Sequence, residues 1–504
     1  MRNQHELKLI FLVLFMSAVG WGASQPSSIF HAFNMRYDEI RRLLPQLAKT
    51  GYSHIQISPA QQSRLTVPHS HKGSRDPKEL WWLRYQPVDF LKLENYQGNK
   101  SDLQNLISEA KKNKISVIAD VVFNHVAALD GLEREEWAAA ANKCNASKDC
   151  VDYLKHLSGL AIYKNFSMAQ CFDDGLKNSF LAGNPEAYKK CMADYTTFVD
   201  CKQRDRSKKE SVYNCWMDGA LPDLNSTENV YKVNTQHMKL LLDMGVTGFR
   251  FDAVKNIDPL FLNRYVNYLK DPKQNPYYYF EFVGDNIDQN TEMAKIAPIT
   301  DFVFFHKLIG VFQFNGNLAS LRNIGYNAND YIVFTENHDT DANRRDPTKG
   351  IPAQIKDLVD MQLATTYILA KAGSVPLILN TIAYSPGVPA GVLFRSLMNK
   401  NSPGKSYKYP EYIYDLPGID SKNVMVMVRN DGEGIYVLNK SASPVNINMN
   451  ELKNKFNGAK MEYYNLKEEA VSKEVKINRP APGAGDIMVV PGRSALFLVR
   501  SDLL

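Results

Sequence analysis

Three stretches of the chain repeat one arrangement of apolar and polar positions. A run with helical period closes on Gly or Lys, and a short apolar, β-branched run follows at once. They are EIRRLLPQLAKTG before GYSHIQIS, DLQNLISEAKKNK before ISVIADVV, and MKLLLDMG before VTGFRFD. Helix alternating with buried strand predicts a parallel sheet, because each strand is covered on both faces and reaches its neighbour across a helix. Strand-like runs of this kind occur at Ile29 to Asn34, Tyr52 to Ser58, Ile115 to Val122, Val246 to Asp252, Tyr277 to Val283, Asp301 to Phe305, Tyr331 to Thr335 and Val375 to Asn380. Eight parallel strands close into an α/β fold, the (β/α)8 TIM barrel, whose working side chains project from the carboxyl ends of the strands.

Past about Asn401 the pattern changes to alternating strands set off by turn residues: VMVMVR, NDGEG, IYVLN and MVVPGRSALFLVR. A C-terminal antiparallel β-sandwich over residues 401–504 is expected. Roughly 120 residues separate the third and fourth runs, far more than a βα loop and helix need. The expected plan is therefore a barrel over 27–400 interrupted by an inserted domain over 126–226.

That insert holds all six cysteines, Cys144, Cys150, Cys171, Cys191, Cys201 and Cys215. An even number confined to a polar segment reads as about three disulfides, with 15 pairings open. The spacing has no Cys-x-x-Cys pair, which argues against zinc. Disulfides agree with the start of the chain, where MRNQHELK leads into LIFLVLFMSAVGWGA. This reads as a signal peptide over residues 1–23, its apolar core from Leu9 to Val19 being shorter than the roughly 20 residues a bilayer span requires. A secreted protein, extracellular or periplasmic, is expected. The formal net charge of +6 is spread along the 504 residues without a basic tract, so neither nucleic acid nor membrane is the expected partner. A monomer is expected.

Three acids stand at or just past strand ends: Asp252 in GFRFD, Glu281 in YYYFEFVGD and Asp339 after FTENH. One such acid alone is usually a cap or an ion-pair partner, but three on one barrel rim point to chemistry. Cleaving a glycosidic bond needs two carboxyl groups, one to protonate the leaving oxygen and one to attack carbon or activate water. Arg250 lies two residues before Asp252, on the same strand face. Its cation is expected to hold Asp252 ionised, as a nucleophile requires; a buried ion pair without chemistry is the competing reading. Tyr279, Phe280 and Phe282 flank Glu281, and burial among them is expected to keep it protonated for donation; a strand acid that faces solvent is the alternative.

DVVFNH (Asp120 to His125), LPDLN (Leu221 to Asn225), GFRFDAVKN (Gly248 to Asn256), FEFVGD (Phe280 to Asp285) and FTENHD (Phe334 to Asp339) together resemble the ordered signature regions of glycoside hydrolase family 13, the α-amylase family. GYSHIQISP and WWLRYQP add to the likeness, which runs from about residue 27 to the end. The resemblance implies Asp252 as nucleophile, Glu281 as general acid/base and Asp339 as the acid that steadies the transition state. It implies Tyr85, His125, Arg250, Lys255 and His338 as substrate-binding, with Tyr85 stacking on the sugar and Asp120 nearby. It also implies a structural Ca²⁺ on Asn124 and Asp223 with backbone carbonyls, hard oxygen donors that suit that ion. Without the resemblance, Asn124 reads as a strand-end hydrogen-bonder and Asp223 as a turn residue. Asn256 stands where the family pattern usually has His, and its carbonyl can still serve calcium. Leu377 near the eighth strand, where chloride-activated members carry a basic residue, implies no chloride dependence.

The expected function is a retaining, endo-acting α-amylase on α-1,4-linked glucan: starch, glycogen or maltooligosaccharides. The alternatives are a glucanotransferase of the same family and a catalytically silent carbohydrate-binding relative; silent relatives lack one or more of the three acids, all of which this chain has.

Overall fold

The computed structural model describes residues 25–64, 78–127, 223–271, 275–284, 286–313, 315–322, 331–345, 354–400, 411–456, 462–468, 475–478 and 487–504, with a few single positions between them. The expected signal peptide, almost all of the expected insert and all six cysteines lie outside the described residues.

Eight parallel strands close a barrel in chain order: β1 Ile29–Ala32, β2 His54–Ile57, β3 Ser116–Val121, β4 Gly248–Phe251, β5 Tyr277–Phe280, β6 Ile299–Thr300, β7 Tyr331–Val333 and β8 Val375–Leu379, which pairs back with β1. Helices α1 Tyr37–Thr50, α2 Lys100–Lys112, α3 Glu228–Asp243, α4 Pro259–Leu269, α5 Ile287–Ala294, α6 Phe302–Phe312, α7 His338–Arg345, α8 Leu358–Ala370 and α9 Val388–Lys400 run between and after the strands. Local chemistry sets their ends. The Asn99 side chain accepts from the Ser101 and Asp102 N–H groups to start α2, while Asp102 accepts in return from the Asn99 N–H. Gly51 closes α1 in the left-handed region at φ 104°. Gly248 opens β4 where an added Cβ would sit 2.8 Å from the Tyr277 carbonyl. Only glycine lets β4 and β5 approach there, and those strands carry two of the acids.

The sixth strand is a correction. The run Asp301 to Phe305 is not strand: β6 ends at Thr300, and the Asp301 carboxylate accepts from the Phe304 N–H as the N-cap of α6. FVFFHKLIGVF is apolar nearly all round, so its periodicity does not separate buried helix from buried strand. The capping aspartate is the signal that decides.

The C-terminal part forms a six-stranded antiparallel sheet in the order β9 Tyr412–Tyr414, β10 Val424–Arg429, β11 Gly434–Asn439, β16 Ser494–Arg500, β13 Tyr463–Glu468 and β14 Val475–Asn478. β12 Val445–Asn448 pairs with β15 Ile487–Val490, and α10 Met449–Asn454 follows β12. Strand alternation divides the sheet's side chains between two cores. Met425, Met427, Tyr436, Leu438, Phe497 and Val499 join the barrel core. Val424, Val426, Val428, Ile435, Val437 and Leu498 pack instead with Ile447, Leu452 and Val490 from the second layer. The sheet is thus half sandwich and half extension of the barrel.

Candidate active site

Parallel register sets the site. Asp120 of β3 lies beside Arg250 of β4, and Arg250 lies beside Tyr279 of β5. Asp252 and Glu281 stand one residue past the ends of β4 and β5. Their N–H groups still donate to the Val121 and Phe251 carbonyls, at 2.9 and 2.8 Å. Both acids are therefore fixed as rigidly as the strands themselves.

The Arg250 guanidinium is almost fully buried and serves three carboxylates. Its Nη1 lies 2.6 Å from Asp120 Oδ2 and 2.7 Å from Asp252 Oδ1, and its Nη2 lies 2.8 Å from Glu281 Oε1. The Tyr85 hydroxyl donates to Asp120 Oδ2 at 2.9 Å. Ala253, directly after Asp252, adopts the left-handed region at φ 50°, which is unfavourable for a residue with a Cβ. The strained turn aims the Ala253 N–H at Glu281 Oε2, 2.8 Å away, and the Val254 N–H at the Glu281 carbonyl, 3.2 Å away.

One guanidinium cannot neutralise three buried carboxylates. Burial and the Glu281 charge push the Asp252 carboxyl well above the usual range, and the pull of Arg250 does not offset them; Asp120 and Asp339 add to the rise. Burial likewise pushes Asp120 up to about 6. This corrects the expectation that Arg250 would hold Asp252 down. The cation acts in that direction, but it is shared three ways. The expectation of an apolar pocket for Glu281 is corrected too, since both carboxyl oxygens have polar partners. Among the described residues the two aspartates and Glu281 share the single Arg250 guanidinium, and that sharing leaves the carboxyls of Asp120 and Asp252 raised.

Asp339 sits in the first turn of α7, its side chain 43% exposed. It is close enough for its charge to raise Asp252, so the three acids converge on one rim, two buried and one facing outward. His338 is buried beside it, with Nε2 3.6 Å from Asp339 Oδ1. The His338 and Tyr85 rings stack, their centroids 5.1 Å apart at 13°. Burial lowers the His338 imidazole to about 3, so the ring is neutral at ordinary pH.

His125 is buried, with Nε2 3.0 Å from the Tyr85 carbonyl and Nδ1 3.2 Å from Asn124 Nδ2. Burial lowers it to about 4. Both ring nitrogens thus meet protein, and the residue braces the Tyr85 backbone. Lys255 and Asn256 follow Asp252 in the 3-10 turn Val254–Asn256, and Asn256 Nδ2 lies 3.3 Å from Met217 Sδ.

Asn124 and Asp223 come together: His125 and Asp223 form a β-bridge, and the Leu224 N–H donates to the Asn124 carbonyl at 2.9 Å. Asn124 Oδ1 is buried without a hydrogen-bond partner among the described residues, and Asp223, joined to this segment through the backbone, is buried too. An orphaned amide oxygen and a buried carboxylate on paired segments offer oxygen donors of the kind that suit a hard divalent cation. Among the described residues no three His, Cys, Asp or Glu side chains cluster as a metal group. Any such site would rest on amide and backbone oxygens as well.

Sequence reasoning did not find Glu281 as a direct partner of Arg250, nor the polar chain inside the barrel. There the Tyr279 hydroxyl donates to Gln56 Oε1, and Gln56 Nε2 lies 3.2 Å from His31 Nε2. The available signal was a polar residue within each of the apolar runs of β1 and β2.

Comparison with known proteins gives a consistent answer. The family described as alpha amylase, catalytic domain, matches residues 40–307. An α-amylase of Aeromonas hydrophila is 26% identical over 366 residues, covering 69% of this chain and 70% of its own length. An α-amylase of Pecten maximus is 27% identical over 360 residues, covering 68% of this chain and 62% of its own length. The alignments thus span between six- and seven-tenths of these relatives. The solved structure of α-amylase I from Eisenia fetida superposes with a TM-score of 0.65 at 18% identity, over 95% of this chain and 96% of that one. At that identity it supports the fold alone.

Proposed function

The chain belongs to the α-amylase family of glycoside hydrolases, and from that membership we propose that it is a secreted, endo-acting α-amylase. It would cleave α-1,4-glucosidic bonds of starch, glycogen and maltooligosaccharides with retention of configuration. The observation that carries this reading is Arg250 bridging Asp252 and Glu281 through its two terminal nitrogens. Two carboxyls gripped by one guanidinium stand close enough to flank a single bond, as a retaining pair does at about 5–5.5 Å.

In the proposed reaction the Asp252 carboxylate attacks the anomeric carbon as Glu281 gives its proton to the departing glycosidic oxygen. The C–O bond breaks and a glycosyl ester forms on Asp252. Glu281, now ionised, takes a proton from water, whose oxygen displaces Asp252 from the same carbon and regenerates both acids. A sugar ring developing positive charge favours an ionised Asp252 electrostatically. Asp339, outward and anionic, would grip sugar hydroxyls and steady the same charge. Neutral His338 would hydrogen-bond a hydroxyl, Tyr85 would stack on the ring, and Lys255 would reach the leaving side. His125 would act through Tyr85. Asn124, Asp223 and the Asn256 carbonyl would hold Ca²⁺ as a structural brace between barrel and insert. The signal peptide over 1–23, the disulfide-bearing insert over 126–226 and a monomeric state belong to the same proposal.

Incubation with soluble starch tests it. Internal cleavage to shorter maltooligosaccharides, released first as the α-anomer by proton NMR, is expected. A chelator should lower the thermal midpoint. Longer or cyclic products would replace hydrolysis by glycosyl transfer, and a β-anomer would refute retention.

A further inference from the structure

His338 is held by more than Tyr85. Phe33, the residue after β1, stacks on the imidazole with ring centroids 4.6 Å apart at 22°. Tyr85 also stacks on His338, at 5.1 Å and 13°. Trp81 and His31 meet the imidazole edge-on, at 5.3 and 5.4 Å. Phe33 touches these neighbours as well, with Trp81 at 5.4 Å and His31 at 5.6 Å. Its carbonyl accepts from Asn380 Nδ2 at 3.1 Å, which fixes the end of β1 to the residue after β8. The half-buried Phe33 ring is thus mounted on the backbone where the barrel closes.

We infer that Phe33 is a positioning residue for the glucan-cleaving reaction, holding the His338 imidazole in one plane so that it meets a sugar hydroxyl beside Asp339. The inference rests on the α-amylase reading for its activity readout, but the ring geometry is independent of it. His338 Nδ1 has no hydrogen-bond partner among the described residues, and Nε2 has only the 3.6 Å contact with Asp339, so the plane of the ring is set mainly by packing. The titratable and charged groups facing it are His31 from β1, Tyr85, Arg250 from β4, Glu281 from β5 and Asp339 from its own helix. Burial, aided by the Arg250 charge, holds His338 at about 3. Removing one stacked ring admits water to that face, which weakens the main cause and frees the ring to rotate.

The test uses the full chain labelled with ¹⁵N-histidine, the His338 resonance being identified by its loss in His338→Gln. In Phe33→Ala the His338 titration should rise by about one pH unit or more. kcat/KM on maltooligosaccharides should fall roughly tenfold, the scale of one lost aromatic contact. The loss should fall on kcat rather than KM, and the acid limb of the pH profile should move to higher pH. Phe33→Tyr, which keeps the ring plane, should restore both readings. If Phe33→Ala does not fold, Phe33→Leu carries the same measurements, since it keeps apolar volume without a ring. An unmoved His338 titration, or an unmoved pH profile with full kcat, overturns the inference. A wild-type chain inert toward every α-glucan overturns the functional reading instead and leaves the titration result standing.

Discussion

Arg250 and Arg395 are equally buried, at 3% and 2% exposure, yet they do opposite things. Arg250 faces the carboxylates Asp120, Asp252 and Glu281 at the carboxyl end of the barrel. Burial alone would lower it, but Asp120, Glu281 and Asp252 together raise it well above its ordinary value. Arg395 on α9 faces backbone: it donates to the carbonyls of Ser27, Lys371, Gly373 and Ser374, at the join between α8 and β8. Nearby Arg429, reaching from the C-terminal sheet, donates to the Ala370 carbonyl at the end of α8, and burial pushes it down to about 10. A buried guanidinium among acids builds a place where protons are contested. Among carbonyls it ends a helix and bolts two parts of the chain together.

The contrast breaks most sharply at Asp252→Asn. Release of reducing ends from soluble starch should fall roughly 10⁴- to 10⁶-fold, as when a nucleophile is removed, while the thermal midpoint holds or rises because one of three buried carboxyls competing for Arg250 has gone. Retained hydrolysis would sink the assignment. Arg395→Met should do the reverse, costing about 3 kcal/mol or more of stability through orphaned carbonyls, with kcat unchanged below the unfolding range. Calorimetry beside initial rates separates the two.

Asp120→Asn should move the acid limb of kcat/KM to lower pH, because it removes one negative neighbour and leaves Arg250 freer to pair with Asp252. The stability sign follows from Asp120 being raised from 3.8 to about 6 in the folded state. The contribution of that carboxyl is complete below the lower value and is lost as pH rises through the upper one. The wild-type midpoint should therefore fall relative to the Asn variant across that interval, and a flat difference would contradict the cluster. Smallest is Arg493→Ala at the rim of the joint. There the half-exposed guanidinium pairs with Asp357 at 2.6 Å and Asp360 at 2.7 Å, and a loss within about 1 kcal/mol is expected.

Much of this was legible in the sequence for a physical reason. Buried parallel strands are apolar throughout, and the acids that close them break that run, so Asp252 and Glu281 stood out. The two-residue step from Arg250 to Asp252 placed both on one face without any knowledge of neighbours. What the sequence withheld was register between strands. Nothing in DVVFNH or GFRFD says that Asp120 lies opposite Arg250, and the sharing of one cation among three acids depends on that alignment. The sixth strand was misread because apolar content carries no period when a helix is buried on nearly every side. Phe33 was invisible for a similar reason: an aromatic after an apolar strand reads as core, and its contact with His338 spans most of the barrel sequence.

The left-handed corner at Ala253 ties its own amide to the carboxyl across the cleft while covalently following the other. A displacement of that corner carries both acids along, so their separation is conserved even as the rim breathes. A shift of the corner then moves the two carboxyls jointly and leaves the gap between them unchanged, and a relaxed backbone at this one position would uncouple them.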